Sequence, residues 1–221
     1  TPDTYQDLVE LFEQDKVDLA IFGGYLFLKV KESRGAKPLV LRNVDEKFRS
    51  MVVVNTRHDV TNFGGARGLS FAFGPKLSTA GHLMPRFYFK NNGINPENFF
   101  QNIIYSGSHS RTVKLVEEGR VDAGVANAIT VKRMLTTGEV DKTKLRIIWE
   151  SPPYTDYVWA VQKTMSDKKM NRIRDSFLSL DPGIARHETI LSTLGAGYFM
   201  PAGQGAFAEL SRVAISLGLL E

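Results

Sequence analysis

The sequence predicts an α/β protein made of two lobes, and three observations support this prediction. Short apolar runs typical of buried strands alternate with segments whose apolar residues recur at helical spacing. One unit occurs twice: residues 13–20 resemble residues 118–124, because in each a helix ends in a polar turn and enters a strand that begins Val-Asp. A chain of 221 residues is also long enough for two lobes of roughly 100 residues each. Two copies of one α/β unit favour two similar lobes over a single sheet.

The amino-terminal part is predicted to form a helix, a strand, a second helix and two further strands. Asp3 or Thr4 can cap the first helix. Its apolar residues recur at helical spacing and are Tyr5, Leu8, Val9 and Phe12. The elements that follow are a strand at 17–22, a helix at about 25–31, and strands at 39–44 and 51–55. The last strand is continuously apolar, which is typical of a central position in a sheet.

The rest of the chain continues this alternation and then becomes helical. The predicted strands lie at 69–73, 99–105, 121–127, 145–149 and 157–161. The predicted helices run from about 78 to 91, from 110 to 118, and from 128 through Met134, then at 168–180, 186–194 and 207–219. Glycine and proline, at residues 181–183 and 198–205, separate the last three helices from one another.

Composition excludes several classes of function. Hydrophobic content is 43%, charged content is 24%, and no apolar run is long enough for a transmembrane helix. The net charge of +4 comes from scattered lysines and arginines, so no nucleic-acid partner is predicted. Cysteine is absent and the four histidines lack metal-ligand spacing, so neither a metal site nor a cofactor is predicted. The sequence contains no catalytic motif, and we therefore predict that the protein is not an enzyme.

A turn between a strand and a helix predicts an anion site. Ser78 and Thr79 follow a Gly-Pro turn and begin a helical pattern, where a hydroxyl oxygen can cap the helix. The remaining backbone N–H groups and the helix dipole attract anions. Ala80 and Gly81 are small, so a tetrahedral oxyanion can approach the backbone. The alternative is that this pair only caps the helix. No lysine stands where a nucleotide-binding Walker A loop requires one.

A second candidate site lies at the carboxyl end of the strand at 17–22. Ligands of open α/β sheets bind outside the carboxyl ends of strands, which makes Phe22, Gly23, Gly24 and Tyr25 candidates. The alternative is that the two glycines only form a tight strand-to-helix turn.

The chain resembles the phosphate-, phosphite- and phosphonate-binding proteins of ABC transporters. The resemblance rests on six stretches in family order: residues 17–23, 77–85, 92–97, 107–109, 119–122 and 151–156. It implies the bilobed type II periplasmic-binding fold, with two α/β lobes and a ligand cleft between them. It also implies a small oxyanion ligand, an ABC permease in the membrane as partner, and a periplasmic or extracellular location, either free or as a membrane-anchored lipoprotein.

The resemblance assigns the anion-binding turn of the family to one stretch. The Ser-Thr-Ser-Gly turn of the family falls on Ser78, Thr79, Ala80 and Gly81, so the third hydroxyl is lost while the backbone N–H of Ala80 can still donate. The histidine of the family falls on His109 and would be a further donor. The alternative for His109 is a packed or surface residue.

Further ligand contacts are implied outside that turn. The cleft aspartate of the family falls on Asp156, which would favour a protonated oxyanion or a ligand with a cationic tail; the alternative is a turn residue. Phe22 stands where a tyrosine is frequent, and Tyr25 would compensate for the lost hydroxyl. Ile129 stands where binders of aminoethylphosphonate have a carboxylate. This favours phosphite, methylphosphonate or phosphate as the ligand.

We expect lobe 1 to comprise residues 1–54 and 155–221, and lobe 2 to comprise residues 55–154. Compared with the family, a first strand, a loop and a helix are expected to precede residue 1, so that lobe 1 lacks its amino-terminal part here. The predicted function is solute binding for uptake through an ABC transporter. The alternative is a ligand-sensing domain of a signalling or regulatory protein with the same fold.

Overall fold

The computed structural model describes residue 2, residues 4–203 and residues 205–221 of the chain. Asp3, one of the two predicted helix caps, lies outside the described residues. The chain forms two compact units. The first unit comprises Thr1–Lys47 and Tyr154–Glu221, and the second comprises Phe48–Pro153.

Strands and helices alternate along most of the chain, as predicted. The strands are β1 (Leu19–Phe22), β2 (Lys37–Arg42), β3 (Ser50–Asn55), β4 (Ser70–Phe73), β5 (Asn102–Tyr105), β6 (Ala123–Asn127), β7 (Leu145–Glu150), β8 (Val158–Val161) and β9 (Phe199–Pro201). The α-helices are α1 (Tyr5–Glu13), α2 (Gly24–Arg34), α3 (Met84–Asn91), α4 (Pro96–Phe99), α5 (His109–Glu117), α6 (Ala128–Thr137), α7 (Asp167–Leu178), α8 (Ala185–Leu194) and α9 (Ala208–Ser216). A π-helical turn, Thr79–Leu83, leads into α3.

The first unit is built on an antiparallel sheet with the strand order β1-β8-β2-β9. Thr4 caps α1 in a capping box with Asp7, and α1 packs Phe12 edge-on against Phe22 with 5.1 Å between ring centroids. On the opposite face of the sheet, Trp159 of β8 packs against Phe177 of α7. Strand β9 was not predicted, because its three residues lie among the glycines and prolines that suggested a loop.

The second unit is built on a mixed sheet with the strand order β5-β4-β6-β3-β7. Strand β4 runs parallel to β5 and β6, whereas β3 runs antiparallel to β6 and β7. All six residues of β3 are buried, which confirms the predicted central position of this apolar strand. Trp149 of β7 packs against Tyr88 of α3. The parallel strands bring the carboxyl ends of β4 and β6 to one edge of the sheet.

Asp122 links β6 to β4 at the opposite end of this sheet, where these two strands begin. Its Oδ2 accepts hydrogen bonds from the backbone N–H of Ser70 at 2.9 Å and from the Ser70 hydroxyl at 2.7 Å. Its Oδ1 contacts Arg57 and lies 2.7 Å from His58 Nε2. Burial alone would raise the pKa of Asp122, but the hydrogen bonds from Ser70, Arg57 and His58 lower it well below its usual range.

Three expectations about boundaries differ from the structure. The predicted first lobe included residues 48–54, but β3 pairs with β6 and β7, so these residues belong to the second unit. The predicted second lobe ended at residue 154, whereas the second unit ends at Pro153 and Tyr154 belongs to the first unit. The predicted strand at 99–105 begins only at Asn102, because α4 occupies Pro96–Phe99. Asn95 caps α4 and Pro96 begins it, a combination that favours a helical turn. Within the described part of the chain, the helices are too short or too polar to cross a membrane.

Candidate functional site

The predicted anion turn joins β4 to α3 in the second unit. Ser78 caps the π-helical turn, since its Oγ accepts a hydrogen bond from the backbone N–H of Gly81 at 3.0 Å. The Ser78 carbonyl accepts from the N–H of Leu83 at 3.1 Å. The capping role considered from the sequence is therefore confirmed for Ser78. Both hydroxyl residues are almost fully buried, with Ser78 3% exposed and Thr79 1% exposed.

Two glycines let this turn approach the end of β4 closely. The N–H of Gly74 donates to the carbonyl of Gly81 at 2.8 Å. A Cβ atom at Gly81 would lie 2.9 Å from the Gly74 Cα and 3.0 Å from the His109 Cε1. No side chain fits at position 81 without displacing one of these neighbours. Gly81 thus brings the turn against both β4 and the imidazole ring.

His109, the first residue of α5, is held in a defined protonation state. Its Nδ1 accepts a hydrogen bond from the backbone N–H of Asn127 at 3.2 Å, so this nitrogen carries no hydrogen. Burial lowers the pKa of His109 from 6.5 to about 4, which keeps the ring neutral at pH 7. The hydrogen of the neutral ring is therefore on Nε2, which lies 3.2 Å from Ser78 Oγ and donates to it.

This arrangement determines what Ser78 can offer to a ligand. The hydroxyl oxygen has two acceptor positions, which are taken by the N–H of Gly81 and by His109 Nε2. What remains is the hydroxyl hydrogen, which can be donated. Ser78 is consequently a hydrogen-bond donor, as an anion-binding site requires.

Ser50 supports the turn from the sheet and was not predicted. Its Oγ donates to the carbonyl of Ala80 at 2.8 Å, and its backbone N–H donates to Ser151 Oγ at 2.9 Å. Ser50 begins β3 directly opposite Asn127, whose N–H holds His109. The only signal in the sequence is a single polar residue at the start of an otherwise apolar central strand. Such a residue becomes informative only when its partner across the sheet is known.

A second buried histidine stabilises the outer side of the turn. His82 Nδ1 donates to the Lys76 carbonyl at 2.7 Å, so Nε2 is the acceptor for Arg86 Nε at 2.8 Å and for the Tyr105 hydroxyl at 3.2 Å. Arg86 also pairs with Glu97 at 2.8 Å. Burial lowers the pKa of His82 to about 4; the Lys76 carbonyl opposes this shift and the Arg86 charge adds to it. No role was predicted for His82.

Asp156 lies in the first unit and is 2% exposed. Its Oδ1 accepts a hydrogen bond from the backbone N–H of Gly24 at 2.7 Å, where α2 begins. The two glycines after β1 thus form the strand-to-helix turn considered as an alternative, and the N–H of Gly24 also holds the carboxylate of Asp156. A Cβ at Gly24 would lie 2.6 Å from a methyl carbon of Leu210, which explains the small residue at this position.

The two aromatic candidates of the first unit are used within that unit. Phe22 is fully buried and packs against Phe12. The Tyr25 hydroxyl donates to the Leu219 carbonyl at 3.3 Å. Burial raises the pKa of Tyr25, and the Glu32 charge adds to the rise. The ligand-covering roles expected for Phe22 and Tyr25 stay predictions.

The predicted ligand-binding residues therefore form two groups. Ser78, Thr79, Ala80, Gly81 and His109 come together in the second unit. Asp156, Phe22 and Tyr25 lie in the first unit. Each group is ordered by contacts within its own unit.

The sequence and the fold are similar to those of known proteins. A family model described as "ABC transporter, phosphonate, periplasmic substrate-binding protein" matches residues 1–205. The chain is 26% identical over 214 residues to a probable ABC transporter phosphite binding protein, PhnD1, of Prochlorococcus marinus (strain MIT 9301). This alignment covers 91% of this chain and 72% of the relative. It is 22% identical over 221 residues to the phosphonates-binding periplasmic protein of Escherichia coli (strain K12). This second alignment covers 96% of this chain and 64% of the relative.

A solved structure is similar over nearly the whole chain. It is that of PhnD1 from Prochlorococcus marinus (MIT 9301) in complex with methylphosphonate, with a TM-score of 0.92 and 25% identity. The similarity covers 99% of this chain and 85% of that one.

Proposed function

Because the chain belongs to the family of periplasmic substrate-binding proteins of phosphonate ABC transporters, we propose that it binds a small phosphorus oxyanion for uptake. Its fold is the predicted α/β fold of type II periplasmic-binding proteins. The proposed site is the turn at residues 78–81. The candidate ligands are phosphite, methylphosphonate or another phosphonate, and phosphate.

The observation that carries this proposal is the donor character of Ser78. Both acceptor positions of its hydroxyl oxygen are occupied, by Gly81 N–H and by His109 Nε2. Ser78 therefore donates to an oxygen that only accepts, such as an oxygen of a phosphorus oxyanion. Thr79 and the N–H of Ala80 are the further donors proposed, whereas the N–H of Gly81, also expected to donate to the anion, donates to Ser78 Oγ. His109 was expected to donate to the ligand as well; because its one hydrogen is directed at the Ser78 hydroxyl, we propose instead that it contributes by holding Ser78.

The ligand class is supported by the relatives and by one side chain. One relative is named as a phosphite binding protein, and a similar structure contains methylphosphonate. Ile129, the second residue of α6, is apolar and 49% exposed. An ammonium group would find no carboxylate at this position, so phosphite and methylphosphonate are favoured over aminoethylphosphonate. Asp156 is proposed to accept a hydrogen bond from a protonated ligand oxygen.

The biological role follows the family. We propose that the bound oxyanion is passed to an ABC permease in the membrane, and that the protein acts in the periplasm or outside the cell, free or anchored as a lipoprotein. The family and the named relatives are binding proteins of transporters, so a sensing role and an enzymatic role are not favoured.

The proposal is tested by calorimetric titration in phosphate-free buffer with phosphite, methylphosphonate, phosphate, aminoethylphosphonate and sulfate. We expect tight binding of phosphite or methylphosphonate and weaker binding of aminoethylphosphonate and sulfate. Absence of binding for all three of phosphite, methylphosphonate and phosphate would contradict the proposed function.

The site is tested with Ser78→Ala and a matched control, Ser166→Ala. Both serines cap helical segments through a backbone N–H: Ser78 bonds to Gly81, and Ser166 bonds to Lys169 at 3.4 Å. Each substitution should lower the free energy of unfolding by about 0.5–2 kcal/mol through loss of the cap. Only Ser78→Ala should weaken ligand binding, by roughly tenfold to a hundredfold. Equal affinities for the two variants would exclude Ser78 from the site.

A further inference from the structure

The loop that carries Asp156 is held from two sides within the first unit. The carboxylate accepts from the N–H of Gly24 at 2.7 Å, and the backbone N–H of Asp156 donates to the carbonyl of Asp45 at 2.9 Å. The first bond orients the side chain and the second fixes the main chain. The position of Asp156 therefore depends on the short 3-10 turn Asp45–Lys47 as well as on the start of α2.

Asp45 is itself fastened by Arg42, the last residue of β2. Its carboxylate is fully buried; Oδ2 accepts from the backbone N–H of Arg42 at 2.9 Å and from Nε at 3.0 Å, and Oδ1 accepts from Nη2 at 2.7 Å. Arg42 in turn donates to the Leu194 carbonyl at 3.2 Å. Its guanidinium lies 5.4 Å from the centroid of the Tyr157 ring, next to Asp156 in the chain.

In place of Asp45, a neutral asparagine or serine would close this turn with weaker hydrogen bonds, because it lacks the charge that faces Arg42. The charged pair instead gives several short, directed bonds in a buried setting, where an aspartate without its partner would be strongly disfavoured. The pair thus determines the direction of the Asp45 carbonyl.

We propose that Asp45, held by Arg42, is a positioning residue for ligand binding. It acts through its carbonyl oxygen, which places the backbone of Asp156 and so the carboxylate that meets the ligand. This inference rests on the proposed function, in which Asp156 contacts the oxyanion. Asp45 itself touches no ligand.

The affinity test uses Asp45→Asn, Asp156→Asn and the double variant, titrated with methylphosphonate and phosphite. Asparagine keeps the shape of Asp45 but removes its charge. We expect Asp45→Asn to weaken binding roughly tenfold in the wild-type background and to have no further effect when Asp156 is already replaced. Unchanged affinity, or equal effects in both backgrounds, would overturn the proposal. Arg42→Lys, which keeps the charge but loses the planar fork, is a second variant and should give the same pattern with a smaller loss.

A second measurement needs no ligand. We expect the backbone amides of Asp156 and Gly24 to exchange hydrogen faster in Asp45→Asn than in the wild type. The control is Asp122→Asn, which removes a carboxylate with several partners in the second unit and should leave these two amides unchanged. Unchanged exchange in Asp45→Asn would overturn the positioning role. If the wild type binds none of the oxyanions, the proposed function fails, whereas the exchange rates still decide whether Asp45 positions Asp156.

Discussion

At the scale of single residues, the turn at residues 78–81 is characterised by the direction of its hydrogen bonds. The backbone N–H of Asn127 donates to Nδ1 of His109, so the hydrogen of the ring is on Nε2, which donates to Ser78 Oγ. Each hydrogen bond in this series thus determines whether the next group donates or accepts. If this turn binds the ligand, as proposed, we expect it to favour ligand oxygens that accept over a ligand that presents only donors.

The protonation of the two buried histidines predicts a dependence of stability on pH. Burial lowers the pKa of His82 and of His109 from 6.5 to about 4. Between these values the unfolded chain binds protons that the native protein does not, so stability is fully present above about pH 6.5 and falls as the pH drops toward 4. We expect the free energy of unfolding in urea to fall by on the order of 2 kcal/mol for each histidine over this range.

His82→Gln provides the variant for this prediction. It removes one of the two titrating groups and should make the pH profile shallower. A profile that is flat between about pH 6.5 and 4 would contradict the protonation states assigned to His82 and His109.

Single residues also show what the sequence can and cannot predict about the site. The capping role of Ser78 could be predicted because its partner is only three residues away. The contact with His109 spans 31 residues, and that between Gly24 and Asp156 spans 132. Patterns of propensity do not encode such distant pairs, so the resemblance to a family was needed to select His109 and Asp156. Ser50 and Asp45 belong to no motif and emerged only from the structure.

At the scale of elements, the close approach of β4 and the π-helical turn depends on Gly81. We expect Gly81→Ala to lower the free energy of unfolding by roughly 1–3 kcal/mol, because the new methyl group meets the Gly74 backbone and the His109 ring. The same variant should weaken oxyanion binding. The measurement is denaturant unfolding combined with ligand titration.

Gly203→Ala is the control for this prediction. An added Cβ at Gly203 meets no atom of the described residues within 4 Å, so stability and binding should stay as in the wild type. If Gly81→Ala were equally harmless, the turn would have to move freely, and the fixed geometry of Ser78 and His109 would be refuted.

The elements themselves were predicted with unequal success for physical reasons. A run of four apolar residues was enough to predict β3 as a buried strand, because successive side chains point to opposite faces and all of them are buried only where both faces of the sheet are covered. Strand β9 has three residues and ends in Pro201, so its strand character comes from pairing with β2 and not from local preference. The start of β5 was placed too early because Phe99, the last residue of α4, and Phe100 are apolar and resemble strand residues.

At the scale of the whole molecule, ligand binding should raise the melting temperature. An oxyanion present at a hundred times its dissociation constant stabilises the native state by about 2.7 kcal/mol. For a chain of this length we expect a rise of roughly 5–10 °C in a thermal-shift experiment. Sulfate at the same concentration should give a smaller rise, and Ser78→Ala should reduce the response to phosphite and methylphosphonate to about half or less, as expected for a tenfold to hundredfold loss of affinity. An undiminished rise in Ser78→Ala would locate the ligand elsewhere.

The division of the chain into two units could be predicted from the internal repeat, but the residues at which the chain passes from one unit to the other could not. The chain leaves the first unit after Lys47 and returns at Tyr154. Hydrophobic patterns on either side of Lys47 are alike, so only the pairing of β3 reveals to which sheet it belongs.

The two tryptophans of the chain are divided between the units. Trp149 packs against Tyr88 in the second unit, and Trp159 packs against Phe177 in the first, with an indole N–H that has no hydrogen-bond partner among the described residues. The tryptophan fluorescence of a Trp149→Phe variant therefore comes from the first unit alone, and that of a Trp159→Phe variant comes from the second unit alone. The protein thus contains its own pair of optical labels, with which the melting of each unit can be followed separately and without an attached dye.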